Sequence, residues 1–392
     1  MAIAVGATAC QPDRQGPAGP RSEVRDSAGI QVVENSRPPD GSRLAWLIGP
    51  EPTITIGVLE GEDPYQLFHA TDATKLSDGR IVVVNRGTAE LRVFDEFGTY
   101  LSTWGGEGEG PGEFEDVMQI ATLPGDSVIT WGLSADAAMH VFDAAGNFGR
   151  RFSPPRSESS LRTQWTLPVS VMRDGSILAS QQPDRVDGVA VELWDGEGRL
   201  RSSLGSHPAQ LVQIIDNMLH HETFGRALAR EPWGDLVIIS PTGRYEIKAY
   251  ARDSTLARIV RREYVRRVPT DADLDAYIER RVAEMPGYML EFADERRRQF
   301  RSSPVAEYFP AFESVMTDRV DHLWIEEYES PTDDRPARLW TVFDPEGRVL
   351  GHVETPRELE IYEIGEDYIL GHTRDELDVE YVQVWPLGRS GS

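Results

Sequence analysis

The chain has 392 residues, 40% of them apolar and 27% charged, with a formal net charge of −25 at pH 7. That apolar content supplies a packed core and excludes wholesale disorder, while the acidic excess repels phosphate backbones and anionic lipid and argues against nucleic acid as a partner. One cysteine excludes an intrachain disulfide and a thiolate zinc cluster.

That cysteine closes the first segment. Residues 1–10 run through small and apolar side chains to Cys10, and a polar, Pro- and Gly-rich stretch follows from Gln11 to Arg25. The segment resembles the end of a bacterial lipoprotein signal peptide, in which Cys10 becomes the lipidated first residue of the mature protein. It departs from that pattern at Ala7, where leucine is commonest, and in having no basic residue ahead of the apolar stretch. Residues 1–10 are thus expected to be a signal remnant and 11–45 a linker or N-terminal extension. No later apolar run is long enough to span a bilayer.

Pro52-Thr-Ile-Thr-Ile-Gly57 is an alternating strand, and after it the sequence repeats. A turn with Asp and Gly leading into an apolar strand occurs first as Leu76-Ser-Asp-Gly-Arg-Ile-Val-Val-Val84 and again from Leu123, Met172, Glu231, Thr317 and Ile364. Each copy precedes an alternating strand that ends in an aromatic residue. Leu91-Arg-Val-Phe-Asp-Glu-Phe-Gly98 has clear counterparts ending at Gly146, Gly198 and Gly347, and weaker ones at Ile247–Tyr250 and Val382–Trp385. The steps from Asp95 to Asp143 and on to Asp195, roughly 50 residues each, suit four-stranded propeller blades.

The expected fold is all-β: a six-bladed β-propeller of four-stranded antiparallel blades over residues 46–387, with 388–392 a tail. A single four-stranded sheet cannot bury both faces, but stacked radially between two neighbours it can. Pairing the strand at 52–57 with the last blade would close the ring and hide both sheet edges. Between blades 4 and 5 the spacing swells by about 40 residues of helical periodicity. In this insertion, at about 270–305, Thr270 precedes Asp271, Asp273 and Asp275 as an N-cap and acidic first turn, and Leu274, Ile278 and Val282 share a face. A second helix is expected after Pro286, making a helical hairpin over one mouth of the propeller or along its rim.

Trp104-Gly-Gly-Glu-Gly-Glu-Gly-Pro-Gly-Glu-Phe114 follows the first blade. Together with the Leu-Ser-Asp-Gly-Arg-Ile-Val turn and the Val-Phe-Asp-x-x-Gly hairpin, it resembles the bacterial 6-bladed β-propeller lipoproteins, relatives of the NHL-repeat propellers. The resemblance covers nearly all of the chain after Trp46. It implies a propeller fold and an exported location and carries little about function; the helical insert departs from the minimal pattern.

The glycine loop lacks the Lys-Ser/Thr of a P-loop, and Glu107, Glu109 and Glu113 would repel phosphate, so it reads as a blade connector. His220 and His221 are adjacent on a strand and point to opposite faces, which keeps them from sharing one ion. His69 and Asp72 fall on an innermost strand and are the candidate metal ligands; Gln119, Glu313 and Glu360, near blade starts, are further channel candidates. Arginines from Arg258 to Arg267 and from Arg296 to Arg298 bracket an aromatic insert. Within them Arg261, Arg262, Tyr264, Arg266 and Tyr288 are the candidate ligand-binding set, while local pairing with acidic neighbours is the plainer reading of the same charges. No catalytic residue is assigned.

These readings combine into an exported, monomeric, lipid-anchored module, in the periplasm or on the cell surface, that needs no cofactor and binds or scaffolds an envelope protein, peptide or glycan. The alternative is a metal-dependent hydrolase or lyase with a divalent cation such as calcium in the central channel.

Overall fold

The computed structural model describes residues 21–133, 138–153, 166–181, 188–208, 212–215 and 218–389, and Cys10 lies outside them. Blade 1 sets the plan, with strands Ala70–Lys75, Ile81–Asn85, Glu90–Phe94 and Tyr100–Gly105 hydrogen-bonded in chain order from the channel outward. Blades 2 to 5 repeat it over 119–152, 166–207, 228–262 and 315–356. Blade 6 supplies Glu360–Ile364, Tyr368–Arg374 and Glu380–Arg389, and its fourth strand is Ile54–Ile56 from the start of the chain. Val382 stands opposite Ile56 and Val384 opposite Ile54, so the N-terminal strand closes the ring.

Strand periodicity explains the stacking. In Ile81-Val82-Val83-Val84 every residue is buried, because alternate side chains serve different neighbours. Val82 and Val84 pack with Phe114, Val128 and Phe142 of the blade 2 side, whereas Ile81 and Val83 pack with Ile56, Leu370 and Val382 of blade 6. The recurring Asp of the outer hairpins holds the turn from within, since the Asp95 carboxylate accepts the N–H groups of Phe97 at 2.9 Å and Thr99 at 2.7 Å. Asp143, Asp195 and Asp344 repeat this pair of bonds two and four residues on. Such side-chain turns satisfy the backbone where the chain reverses.

Three additions to the six-blade plan gather on blade 4. Ser22–Ser27 and Ile30–Asn35 form a hairpin whose second strand runs parallel to Leu256–Arg262, making blade 4 six-stranded. The expected linker therefore holds ordered sheet. A second hairpin, Val212–Ile215 with Met218–His221, fills the connection from blade 3. The third is the helical insert, where helix α1 (Asp271–Ala283) opens on a capping box in which Thr270 N–H donates to Asp273 at 2.9 Å. Ile278 and Val282 are buried as the spacing predicts, while Leu274 is half-buried. A 3-10 turn, Gly287–Phe292, leads into α2 (Ala293–Ser302), which is tied to α1 by Arg297 to Glu279 and Arg301 to Asp275. At the other end of the chain, Gly388 and Arg389 pair with Leu47 and Trp46, so the sheet runs into the expected tail.

Candidate functional site

The innermost strands of all six blades surround a channel cavity of about 460 Å3. Asp72, Gln119, Ser170, Glu231, Thr317 and Glu360 reach its wall, one from each blade. Burial pushes the Asp72 carboxyl up to about 8, against N–H bonds from Ile120 and Ala73 that favour its charge, and Glu363 and Glu360 add like charge. Burial likewise pushes Glu231 up to about 8, only partly offset by its bond from the Thr317 hydroxyl. Both carboxyls thus hold their proton to higher pH than an exposed side chain does. At the far end of the channel two arginines cross between blades. Arg173 of blade 3 reaches Asp321 at 2.8 Å and the Arg319 carbonyl at 2.7 Å in blade 5. Arg319 in turn reaches the Lys75 carbonyl of blade 1 at 2.8 Å and Glu363 of blade 6 at 2.7 Å.

His69 does not join Asp72 there. It precedes the inner strand with φ of +52°, is exposed, and stacks on Phe68 at 4.8 Å. Gln119 and Glu360 do line the channel, but Gln119 is engaged by Trp131 Nε1 at 2.8 Å. Glu313 lies in a different cavity. Among the described residues no group of three or more His, Cys, Asp or Glu side chains is arranged to hold a metal ion. Glu231, Glu363, Arg173 and Arg319 were missed in the sequence because they sit inside or beside the Asp-Gly turns, where the repeat accounts for every residue.

The connections that enter inner strands share one face of the disc, and the insert covers part of it. Ala306 N–H donates to the Thr223 carbonyl and Thr223 N–H to the Pro304 carbonyl, at 2.9 and 2.7 Å. His220 Nδ1 lies 2.9 Å from the Ser303 hydroxyl, and Thr332 donates to Asp273 at 2.6 Å. His220 is buried and His221 exposed, on opposite sides of their strand. These ties leave a cavity of about 420 Å3 between the helices and blades 4 and 5, lined by Phe224, Tyr277, Arg280, Phe300, Glu313 and Tyr328 among others. Phe224 meets Tyr277 and Phe309 edge to face, at 5.4 and 4.9 Å between ring centres.

Four of the five candidate ligand residues, Arg261, Arg262, Tyr264 and Arg266, do come together around a broad depression beside the N-terminal hairpin. Tyr288 lies apart on the 3-10 turn, 79% exposed. Much of this charge is spent internally. Arg261 binds Glu34 at 2.9 Å and Glu246 at 2.6 Å. Arg262 is buried, forks onto Glu327 with two bonds of 2.8 Å, and lies over the Tyr245 ring at 3.8 Å. Burial opposes the Glu327 charge, yet Arg262 outweighs it and holds the carboxyl below its usual range. The partners of Arg261 come from neighbouring strands, because strand pairing sets Glu34 and Glu246 on either side of it. The glycine loop is a connector: Phe114 is fully buried beside Trp104 and Phe142, and Glu113 turns back onto Gly110 N–H at 2.8 Å.

Residues 59–122 match the family model described as 6-bladed beta-propeller. The chain is a six-bladed β-propeller. Among solved structures it is similar to a putative exported protein from Bacteroides fragilis, at 13% identity over 90% of this chain and 99% of that one, TM-score 0.49. A DUF4221-family protein from Bacteroides vulgatus aligns at 10% identity over 88% of this propeller and 98% of its own chain, TM-score 0.50. Virginiamycin B lyase from Staphylococcus aureus aligns at 10% identity over 86% and 98%, TM-score 0.43. At these identities the likeness concerns fold alone. A comparison with curated proteins found no match.

Proposed function

We propose that this propeller is an exported binding or scaffold module, held at a bacterial membrane by lipid on Cys10, that receives a protein, peptide or glycan on the face carrying the insert. The observation that carries the reading is the 420 Å3 cavity walled by the helical insert, by the end of the hairpin before blade 4 and by aromatic side chains. A rigid scaffold that presents variable connections on one face is a common basis for recognition, and aromatic side chains beside arginine supply its strongest anchors. Export and anchoring rest on the Cys10 segment. The test has two arms. Expressed in a Gram-negative host with a full-length signal sequence, the protein should fractionate with membranes and Cys10→Ser should release it. Probed on peptide and glycan arrays, purified propeller should retain a restricted set of ligands, and Tyr277→Ala should lose them. Retention of the same ligands by that variant would sink the site.

A second reading starts from Asp72 and Glu231. Carboxyls that hold their proton to higher pH than usual on a channel wall have the chemistry of general acids, so a hydrolase or lyase would work there. Turnover of a panel of lactones and glycans, with and without added calcium, abolished by Glu231→Gln, would favour it over the binding module.

A further inference from the structure

We propose that the ligand of this face carries a carboxylate, which seats in a second, arginine-lined cavity. The inference rests on the reading of the insert face as a ligand site. The cavity, about 190 Å3, is lined by Arg37, Arg262, Arg266, Arg267 and Arg335, and Glu327 is the one carboxylate in its wall among the described residues.

The positive charge is not fully answered within the protein. Glu327 is taken by Arg262. Arg267 and Arg335 share Asp333, at 2.9 and 3.6 Å, and Arg37 has Asp40 at 2.7 Å. Arg266 lies over the Tyr308 ring at 5.2 Å and has no carboxylate partner among the described residues. Five guanidinium groups thus meet three carboxylates. An excess of guanidinium charge around one cavity is relieved by an oxyanion, and the planar fork of arginine matches a carboxylate.

Size and continuity narrow the ligand. At about 30 Å3 per water the space equals roughly six waters, enough for a carboxylate and the few atoms bearing it. Tyr264, Phe309 and Tyr328 give it an apolar side. Pro310 and Tyr328 also line the 420 Å3 cavity under the insert, so the two cavities are neighbours on this face. A peptide C-terminus and a sugar acid share this chemistry.

The test is titration calorimetry at fixed ionic strength with acetyl-Gly-Phe, its C-terminal amide, sodium glucuronate and inorganic phosphate, on wild type, Arg266→Gln and Arg335→Gln. Melting curves verify that the variants fold. Saturable binding of acetyl-Gly-Phe or of glucuronate is expected, the stronger of the two naming the source, with no binding of the amide. Either variant should weaken it about tenfold or more. Equal binding of acid and amide, binding of phosphate alone, no binding of either acid, or affinities unchanged in both variants would overturn the proposal. Array ligands that are neutral would overturn it while leaving the binding face intact; a carboxylate site with no array ligand would do the reverse.

Discussion

Replacing Glu231 by Gln should make the protein more stable at alkaline pH and leave it unchanged in acid. The side chain sits on the channel wall and accepts from the Thr317 hydroxyl at 3.3 Å, a bond the Gln carbonyl can still accept. A carboxyl raised from 4.5 to about 8 keeps its proton in the folded chain while the unfolded chain has lost it. The folded form therefore binds the extra proton between those values, and stability falls as pH rises through that window. At about 1.4 kcal/mol per pH unit the full effect would be about 5 kcal/mol, and water in the channel reduces it to roughly 2 kcal/mol. At about 2 °C per kcal/mol for a large domain, Glu231→Gln should melt about 4 °C above wild type at pH 8.5 and together with it at pH 5. Scanning calorimetry from pH 5 to 9 measures this directly. Parallel curves for the two proteins would show that Glu231 does not titrate in this range and would refute the burial argument.

Other consequences are as direct. Ile56 is fully buried between blades 6 and 1, and Ile56→Ala should cost about 2 to 4 kcal/mol in urea unfolding, a loss the exposed Leu47→Ala should not reproduce. Arg262→Ala takes the guanidinium fork from the largely buried Glu327 carboxylate and should cost about 3 to 5 kcal/mol, whereas Arg262→Met with Glu327→Leu should recover most of it. Gly105 has a φ of +79°, and a Cβ there would collide with the Phe114 ring, so Gly105→Ala should lower the melting temperature by several degrees, read by circular dichroism.

The blades were legible because each repeats a local chemistry: an Asp that folds back onto two N–H groups, a Gly at positive φ as at Gly98, and strands whose alternate residues face two neighbours. The closing strand was legible because Ile54 and Ile56 alternate with threonines ahead of any complete blade. The N-terminal hairpin was not, since its turn places Ala28 at φ +56° before Gly29 at +85°, where Asn or Asp would have announced it. Site residues were legible as types and not as groups. Arg261, Arg262, Tyr264 and Arg266 lie on one stretch of chain and stay together, but Arg37 and Arg335 join Arg262, Tyr264 and Arg266 at the 190 Å3 cavity from distant segments. Asp72 and Glu231 likewise meet one channel only through ring closure.

The central claim is that ligand enters under the helical insert, and hydrogen–deuterium exchange with and without the strongest array ligand tests it most directly. The account predicts protection in residues 220–226, 270–303 and 327–335, with the channel strands Ala70–Lys75 and Leu228–Trp233 unchanged. Protection of those channel strands, with the insert exchanging as before, would contradict it and move the site to Asp72 and Glu231.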